Sequence, residues 1–299
     1  MKKYFIIIAV SLFAASFVVP IGSAAAQSTD TESITLSPVS KKYTLDAGQT
    51  VEESMTVVND GQTDYDFVVY SRPYSMPSGE SNYDSPNFTQ TTMNADAYSW
   101  VQLKQSKFRL KAGESTKVDY TIRVPANATP GGHYGVIFAE TQPAEDTNAG
   151  NAVIRKKRVG SIIYATVNGD YKTSGEIVGS AIPFWQPQPP LKITGTVKND
   201  GNVDFTNATK FEVKDIFGNV KYSIEKDFVV LPDTTRNMTF EWTESPWFGL
   251  FKVELTQKSL DKTTDDGGYV LILPRYLPVL IAVFILGGGG YALFRRKKR

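Results

Sequence analysis

Lys117-Val118-Asp119-Tyr120-Thr121-Ile122-Arg123-Val124 alternates polar and apolar residues over eight positions. Successive side chains of a strand point to opposite faces, so a period of two builds one wet face and one buried face. Working outward, Arg236, Met238, Phe240 and Trp242 repeat the pattern, and Phe251, Val253 and Leu255 follow it. Turn signals separate these runs at Ala47-Gly48, Asn59-Asp60-Gly61, Lys111-Ala112-Gly113, Pro130-Gly131-Gly132, Asn199-Asp200-Gly201 and Phe217-Gly218-Asn219. Outside the two termini no long window carries a helical period. Many short strands between frequent turns predict an all-β sandwich rather than an α/β enzyme fold.

The β-rich region exceeds the roughly 100 residues of one immunoglobulin-sized sandwich, so two tandem units are expected, 27–180 and 181–273. Pro183, Pro187, Pro189 and Pro190 crowd the boundary, and proline has no place inside a central strand. The piece from Ile182 to Pro190 reads as a stiff connector or the start of a strand. A weak internal repeat supports the division: Val58-Asn59-Asp60-Gly61 closes an early strand of the first unit, and Val197-Lys198-Asn199-Asp200-Gly201 does so in the second.

The ends of the chain predict its location. Lys2-Lys3, an apolar run from Tyr4 to Val19 and Ser23-Ala24-Ala25-Ala26 read as a secretory signal over residues 1–26. Tyr276 to Phe294 is an uncharged stretch of 19 residues, roughly 28 Å as a helix, within an expected transmembrane segment 274–294. Arg295-Arg296-Lys297-Lys298-Arg299 then forms a basic cytoplasmic tail. The expected topology is single-pass at the cell membrane, with the ectodomain extracytoplasmic. Leu273-Pro274-Arg275-Tyr276-Leu277 departs from a sortase signal after Leu-Pro, which favours an intact anchor over a wall-linked product.

Residues 27–273 hold 24 basic groups against 31 acids, a net charge of −7. Such an acidic surface repels phosphate backbones and argues against nucleic acid as a partner. The basic run Arg155-Lys156-Lys157-Arg158 is a local exception and reads as a solvated hairpin shoulder, with contact to an anionic polymer as the alternative. The absence of cysteine in an exported chain of this size points to a bacterial envelope.

Leu45-Asp46-Ala47-Gly48-Gln49-Thr50, Asn59-Asp60-Gly61, Phe108 to Glu114 and Val124 to Gly135 follow the order of many bacterial Ig-like surface modules. With the C-terminal apolar segment and basic tail, the layout resembles the WxL-interacting proteins of Gram-positive envelopes. That resemblance implies two Ig-like domains before one membrane span, the first associated with peptidoglycan and the second with partner contacts. It assigns no individual residue.

Catalytic constellations are lacking. His133 is the one histidine, no G-x-S-x-G elbow exists, and a zinc site needs several His or Cys ligands. Gly287 to Gly290 falls within the apolar segment and forms no phosphate cradle. No cofactor and no metal are expected. Asn59 to Asp66 and Thr263 to Gly268 cluster oxygen ligands, for which turn chemistry and calcium coordination are both readings.

The segment from Arg72 to Tyr98 spans 27 residues, far beyond an ordinary hairpin loop. Its Tyr74, Tyr83, Phe88 and Tyr98 among Ser, Asn and Gly match the composition of paratopes, which makes these four the binding candidates. The alternative is an ordered excursion covering the sandwich. Trp242 is expected in the core, and Trp247 and Phe248 against the other domain. The expectation is a non-catalytic, membrane-anchored binding or scaffold protein engaging cell-wall polymer or a surface protein. Its rivals are a membrane-tethered carbohydrate-active enzyme and a sortase-type surface adhesin.

Overall fold

Residues that alternate in sequence form strands with one buried face. The run at Lys117 lies in a strand, Ser115–Arg123, whose Val118, Tyr120 and Ile122 are buried while Lys117 and Arg123 are exposed. The computed structural model describes residues 33–77, 86–89, 92–142, 156–277 and 286. Its first nine strands are β1 (Ile34–Ser37), β2 (Ser40–Leu45), β3 (Thr50–Asn59), β4 (Tyr65–Pro73), β5 (Val101–Leu103), β6 (Lys107–Leu110), β7 (Ser115–Arg123), β8 (Gly131–Gln142) and β9 (Arg158–Val167). They make two sheets, β1-β3-β7-β5 and β2-β9-β8-β4-β6, which enclose a core of Leu36, Met55, Val57, Phe67, Trp100 and Ile137.

A second pair of sheets follows from β10 (Gly175–Ala181), β11 (Trp185–Gln186), β12 (Leu191–Asn199), β13 (Phe205–Lys214), β14 (Val220–Val230), β15 (Thr234–Trp242), β16 (Gly249–Ser259) and β17 (Lys262–Ile272). Their orders are β10-β12-β15 and β11-β17-β16-β13-β14, around Ile193, Phe211, Met238, Phe240 and Leu255. The fold is an all-β sandwich, and the two sheet pairs lie in one compact unit that starts at Glu32.

The two halves repeat the same devices. Each opens with a strand that pairs antiparallel in one sheet, breaks at a proline and resumes in the other sheet, parallel to the half's last strand. Pro38 separates β1 from β2, which pairs with β9; Pro183 separates β10 from β11, which pairs with β17. Proline lacks the donor a continuous ladder needs, so the chain changes sheets there. The proline-rich piece therefore joins strands of the second sandwich, and the boundary expected at 180 runs through the end of β10. The buried Asn59 and Asn199 repeat as well. Asn59 Nδ2 donates to Thr63 O and Leu110 O, and its Oδ1 accepts from Gly61 N. Asn199 bonds Val203 O, Val230 O and Gly201 N in the same way.

The single-pass expectation is corrected. Among the described residues no helix is long and apolar enough to cross a membrane. Of the stretch Tyr276 to Phe294, only Tyr276, Leu277 and Leu286 are described, and the expected signal and basic tail lie outside the described residues. Trp242 is half-buried and packs on Tyr222 and Phe251 against the second core. Trp247 and Phe248 are exposed, contrary to the expected contact with the other sandwich.

Candidate functional site

One strand places the site. β8 is buried at Gly131 through Ala139, on both faces, because its near-continuous apolar run leaves no wet side. Its inner residues Ile137 and Ala139 join the first core. Its outer residues Tyr134, Val136 and Phe138 form a separate cluster with Tyr74, Tyr164 and Leu231, the last from the second sandwich.

This junction carries a buried polar anchor. Tyr134 Oη donates to Asp204 Oδ1 at 3.1 Å and accepts from Asp204 N at 3.0 Å. Lys42 Nζ reaches Asp204 Oδ2 at 3.2 Å. Burial first, and then the Asp204 charge, push the Tyr134 hydroxyl far above the ordinary phenol range, so it keeps the proton it donates. Gly132 N donates to Asn202 O at 2.7 Å, a second tie between the sandwiches.

Described parts of the segment 72–98 lie against this junction. Ser75 and Asn87 exchange backbone hydrogen bonds that close its base. Tyr74 is 5% exposed and meets Tyr164 edge-on. Phe88 is half-buried edge-on against Phe138 at 4.9 Å. Tyr98 is half-buried at the short 3-10 helix Ala97–Trp100, and its carbonyl accepts from Ser71 Oγ. Tyr83 lies outside the described residues. Tyr74 and Phe88 thus share one packed face.

Beside them a groove of about 630 Å³ opens between Ser75, Asn87 and Asn94 on one side and Asn202 and Asp233 on the other, with His133 in its wall. His133 Nδ1 lies 2.7 Å from Asp96 Oδ1 and Nε2 lies 2.8 Å from Thr129 O. A carboxylate and a carbonyl only accept, so both bonds together require the imidazolium. Burial lowers its proton affinity, but Asp96 and the Thr129 carbonyl outweigh that and leave it raised. Neither ring nitrogen is left to activate a nucleophile.

The upper part of the same face is aromatic and charged. The Arg158 guanidinium sits 4.3 Å from the Phe138 ring centre and 5.3 Å from that of Phe88. Tyr70 Oη donates to Glu140 Oε2 at 2.6 Å, and Lys156 pairs with Glu140 at 3.4 Å. The Tyr70 bond foremost, then Lys156 and Arg158, hold the Glu140 carboxyl below its ordinary range. Arg158 and Lys156 belong to the basic run read as a solvated shoulder; the residues that engage them are distant in sequence, which hides the cluster from a linear reading.

Among the described residues, the start of β9 has no strand paired on the side that faces β2. Thr141 N donates to Lys157 O, and Ile162 N donates to Val39 O on the opposite side. Along β9, odd positions therefore face β8 and even positions face β2. Because β2 begins opposite Ile162, the backbone groups of Arg158 and Gly160 point past its start, and no described strand pairs with them. Gly160 lets the outer rings lie close: a Cβ there would be 2.8 Å from both Phe138 and Val136 side chains.

Thr263 to Gly268 lies within β17, and several oxygens of the two oxygen-rich stretches are engaged by the fold. Asn59 is spent within its turn, Asp64 accepts from Ala112 N, Asp66 pairs with Arg109, and Asp265 accepts from Thr256. Among the described residues no three His, Cys, Asp or Glu side chains group as metal ligands.

No family model matches the chain, and no curated protein does. Among solved structures, it is similar to the class 5 fimbrial chaperone CfaA at 14% identity, covering 81% of this chain and 100% of that one, with a TM-score of 0.40. The CsuC-CsuE chaperone–tip adhesin complex from Acinetobacter baumannii Csu pili matches at 12% identity, 79% and 97% coverage and TM-score 0.39. The SafA pilin–SafB chaperone complex of Salmonella enterica matches at 12% identity, 80% and 96% coverage and TM-score 0.39. Where the sequence resembled WxL-interacting proteins, the structural neighbours are pilus chaperones, and that resemblance is corrected. The membrane-anchored wall scaffold, with its membrane and cell-wall assignments, falls with it.

Proposed function

We propose that the chain is a non-catalytic protein-binding module that receives an extended segment of a surface protein along the open start of β9. The observation that carries this reading is the pair of backbone positions, Arg158 and Gly160, that point past the beginning of β2. An added strand gains main-chain hydrogen bonds of about 0.5–1.5 kcal/mol each, and the neighbouring aromatic face selects its alternate side chains. Phe88, Arg158 and Tyr70 line that face, so of the sequence candidates Phe88 is the contact residue best placed, while Tyr74 supports it from below. Two of the solved structures named above, the CsuC-CsuE and SafA–SafB complexes, contain a tip subunit and a pilin, which is a property of those proteins and is in line with a surface protein as the partner class here.

The finer organisation belongs to the same proposal: a leader over residues 1–26 and two tandem Ig-like domains meeting between Val167 and Gly175, where the strands change sheet pairs.

A phage-displayed library of random peptides tests the reading on the full chain. Selected peptides should alternate apolar residues, slow hydrogen exchange at the Gly160 amide, and bind at least ten times more weakly to Arg158→Pro. Bound peptides that leave Gly160 exchange unchanged would sink it.

A further inference from the structure

The second sandwich gathers exposed apolar side chains at one end. The β13–β14 turn displays Ile216 and Phe217, the latter 83% exposed. Lys214 pairs with Lys252 across the sheet, which sets that turn beside the start of β16, where Trp247 (61%) and Phe248 (71%) project. Gly249 pairs with Ile272, and Trp185 with Leu271, bringing Phe184 (65%) and Trp185 to the same end. Three segments remote in sequence thus converge on one apolar surface.

Its geometry is held before any contact forms. Asp215 accepts from Phe217 N and Asn219 N, both at 2.9 Å, so the turn that carries Phe217 is braced. The Trp185 indole donates to Leu273 O at 2.9 Å.

We propose that this end is the contact between two copies of the chain. An aromatic residue offers roughly 150–250 Å². At exposures of 46–83%, the five aromatic side chains present on the order of 500–800 Å² and Ile216 adds to it, which matches or exceeds the largest apolar patch of a typical monomer and approaches the roughly 800 Å² per partner of a stable interface. An apolar surface is self-complementary, as a two-fold contact requires. Several charges beside it are paired among themselves: Lys214 with Glu212 and Glu254, Lys252 with Glu254, and Lys221 with Asp215. Elsewhere the excess of acid over base in residues 27–273 makes two copies repel, so this end is where they approach at least electrostatic cost.

The chain contains no cysteine, so a single one can be introduced and spin-labelled in the full chain. Val220→Cys should give a short intermolecular distance by pulsed electron resonance. Asp261→Cys, at the far end of strands roughly 36 Å long, should give none. Phe217→Asp combined with Trp247→Gln should weaken self-association in sedimentation equilibrium at least 100-fold while leaving the melting temperature unchanged. A monomer at every concentration, or a short distance at position 261 instead, would overturn the proposal. So would association that survives the double substitution but disappears in Ile281→Lys/Phe284→Lys, which would assign the contact to the apolar stretch 276–294. Uptake of the chain by phospholipid vesicles, abolished by the Phe217 and Trp247 changes, would assign this end to a lipid surface and equally overturn it.

Discussion

Replacing Tyr134 by Phe removes one oxygen from the junction and leaves the ring in place. That oxygen donates to the Asp204 carboxylate and accepts from the Asp204 amide, and Tyr134 is 1% exposed, so water does not substitute for it. A hydrogen bond to a charged group contributes about 1.5–3 kcal/mol, and a buried amide left without an acceptor costs about 1–3 kcal/mol. Lys42 still faces Asp204 and moderates the loss. We expect Tyr134→Phe to lower stability by about 2–4 kcal/mol, measured by urea unfolding with an unchanged denaturant slope. Gly132→Ala reaches the same atoms from the other side: its Cβ would collide with Tyr134 Oη and lie 2.7 Å from Cζ. It should cost at least as much, and the two substitutions together less than their sum, since both remove the same bonds. A Tyr134→Phe loss below about 0.5 kcal/mol, or costs that add within about 0.3–0.5 kcal/mol, would refute the anchor.

Three further outcomes follow from the same geometry. Because the folded-state proton affinity of His133 is raised, its contribution is fully present below about pH 6.5 and is lost as pH rises through the folded value; the urea midpoint should fall over that window in the native chain and stay flat in His133→Gln, and parallel profiles would refute it. Asn59→Ala and Asn199→Ala each remove three hydrogen bonds from a buried turn, so each should cost about 2–4 kcal/mol by calorimetry; a large loss in one and none in the other would show that the two turns are not equivalent. Tyr74→Ala should lower the melting temperature through lost core contacts, at about 3 kcal/mol or more, whereas Phe88→Ala should cost less stability and weaken peptide binding; the reverse order would exchange their roles.

The strands were legible because their signal is local. Lys117 to Val124 carries its own alternation, and the Asn-Asp-Gly turns carry theirs. The prolines were legible as breaks but not as places where a strand changes sheets, since that depends on the partners waiting in each sheet. Tyr134 and Asp204 stand 70 residues apart, and Lys42 and Asp204 stand 162 apart, so nothing in the sequence around any of them announces the anchor. Composition leaves segment 72–98 open for a physical reason: tyrosine, phenylalanine and small polar residues serve an exposed paratope and a packed cover equally well. Burial, which composition does not encode, separates Tyr74 from Tyr98.

The internal repeat also shows which face is special. β8 and β16 hold the same place in their halves, each next to the last strand and central in a five-stranded sheet. Both turn apolar residues inward. On the outer side β16 carries Lys252, Glu254, Thr256 and Lys258, so that face stays in water. At the matching side β8 carries Tyr134, Val136 and Phe138, and that face must be covered. The second sandwich covers its lower part through Leu231, and segment 72–98 covers more through Phe88. Toward Arg158, among the described residues, a guanidinium lies over two rings beside the stretch of β9 that β2 does not reach. A fold built twice from the same rules has one sheet face that departs from them, and the departure ends at an open strand edge. That coincidence of an apolar face with unpaired backbone is what an incoming strand requires, and neither feature alone would distinguish this edge from the others in the molecule.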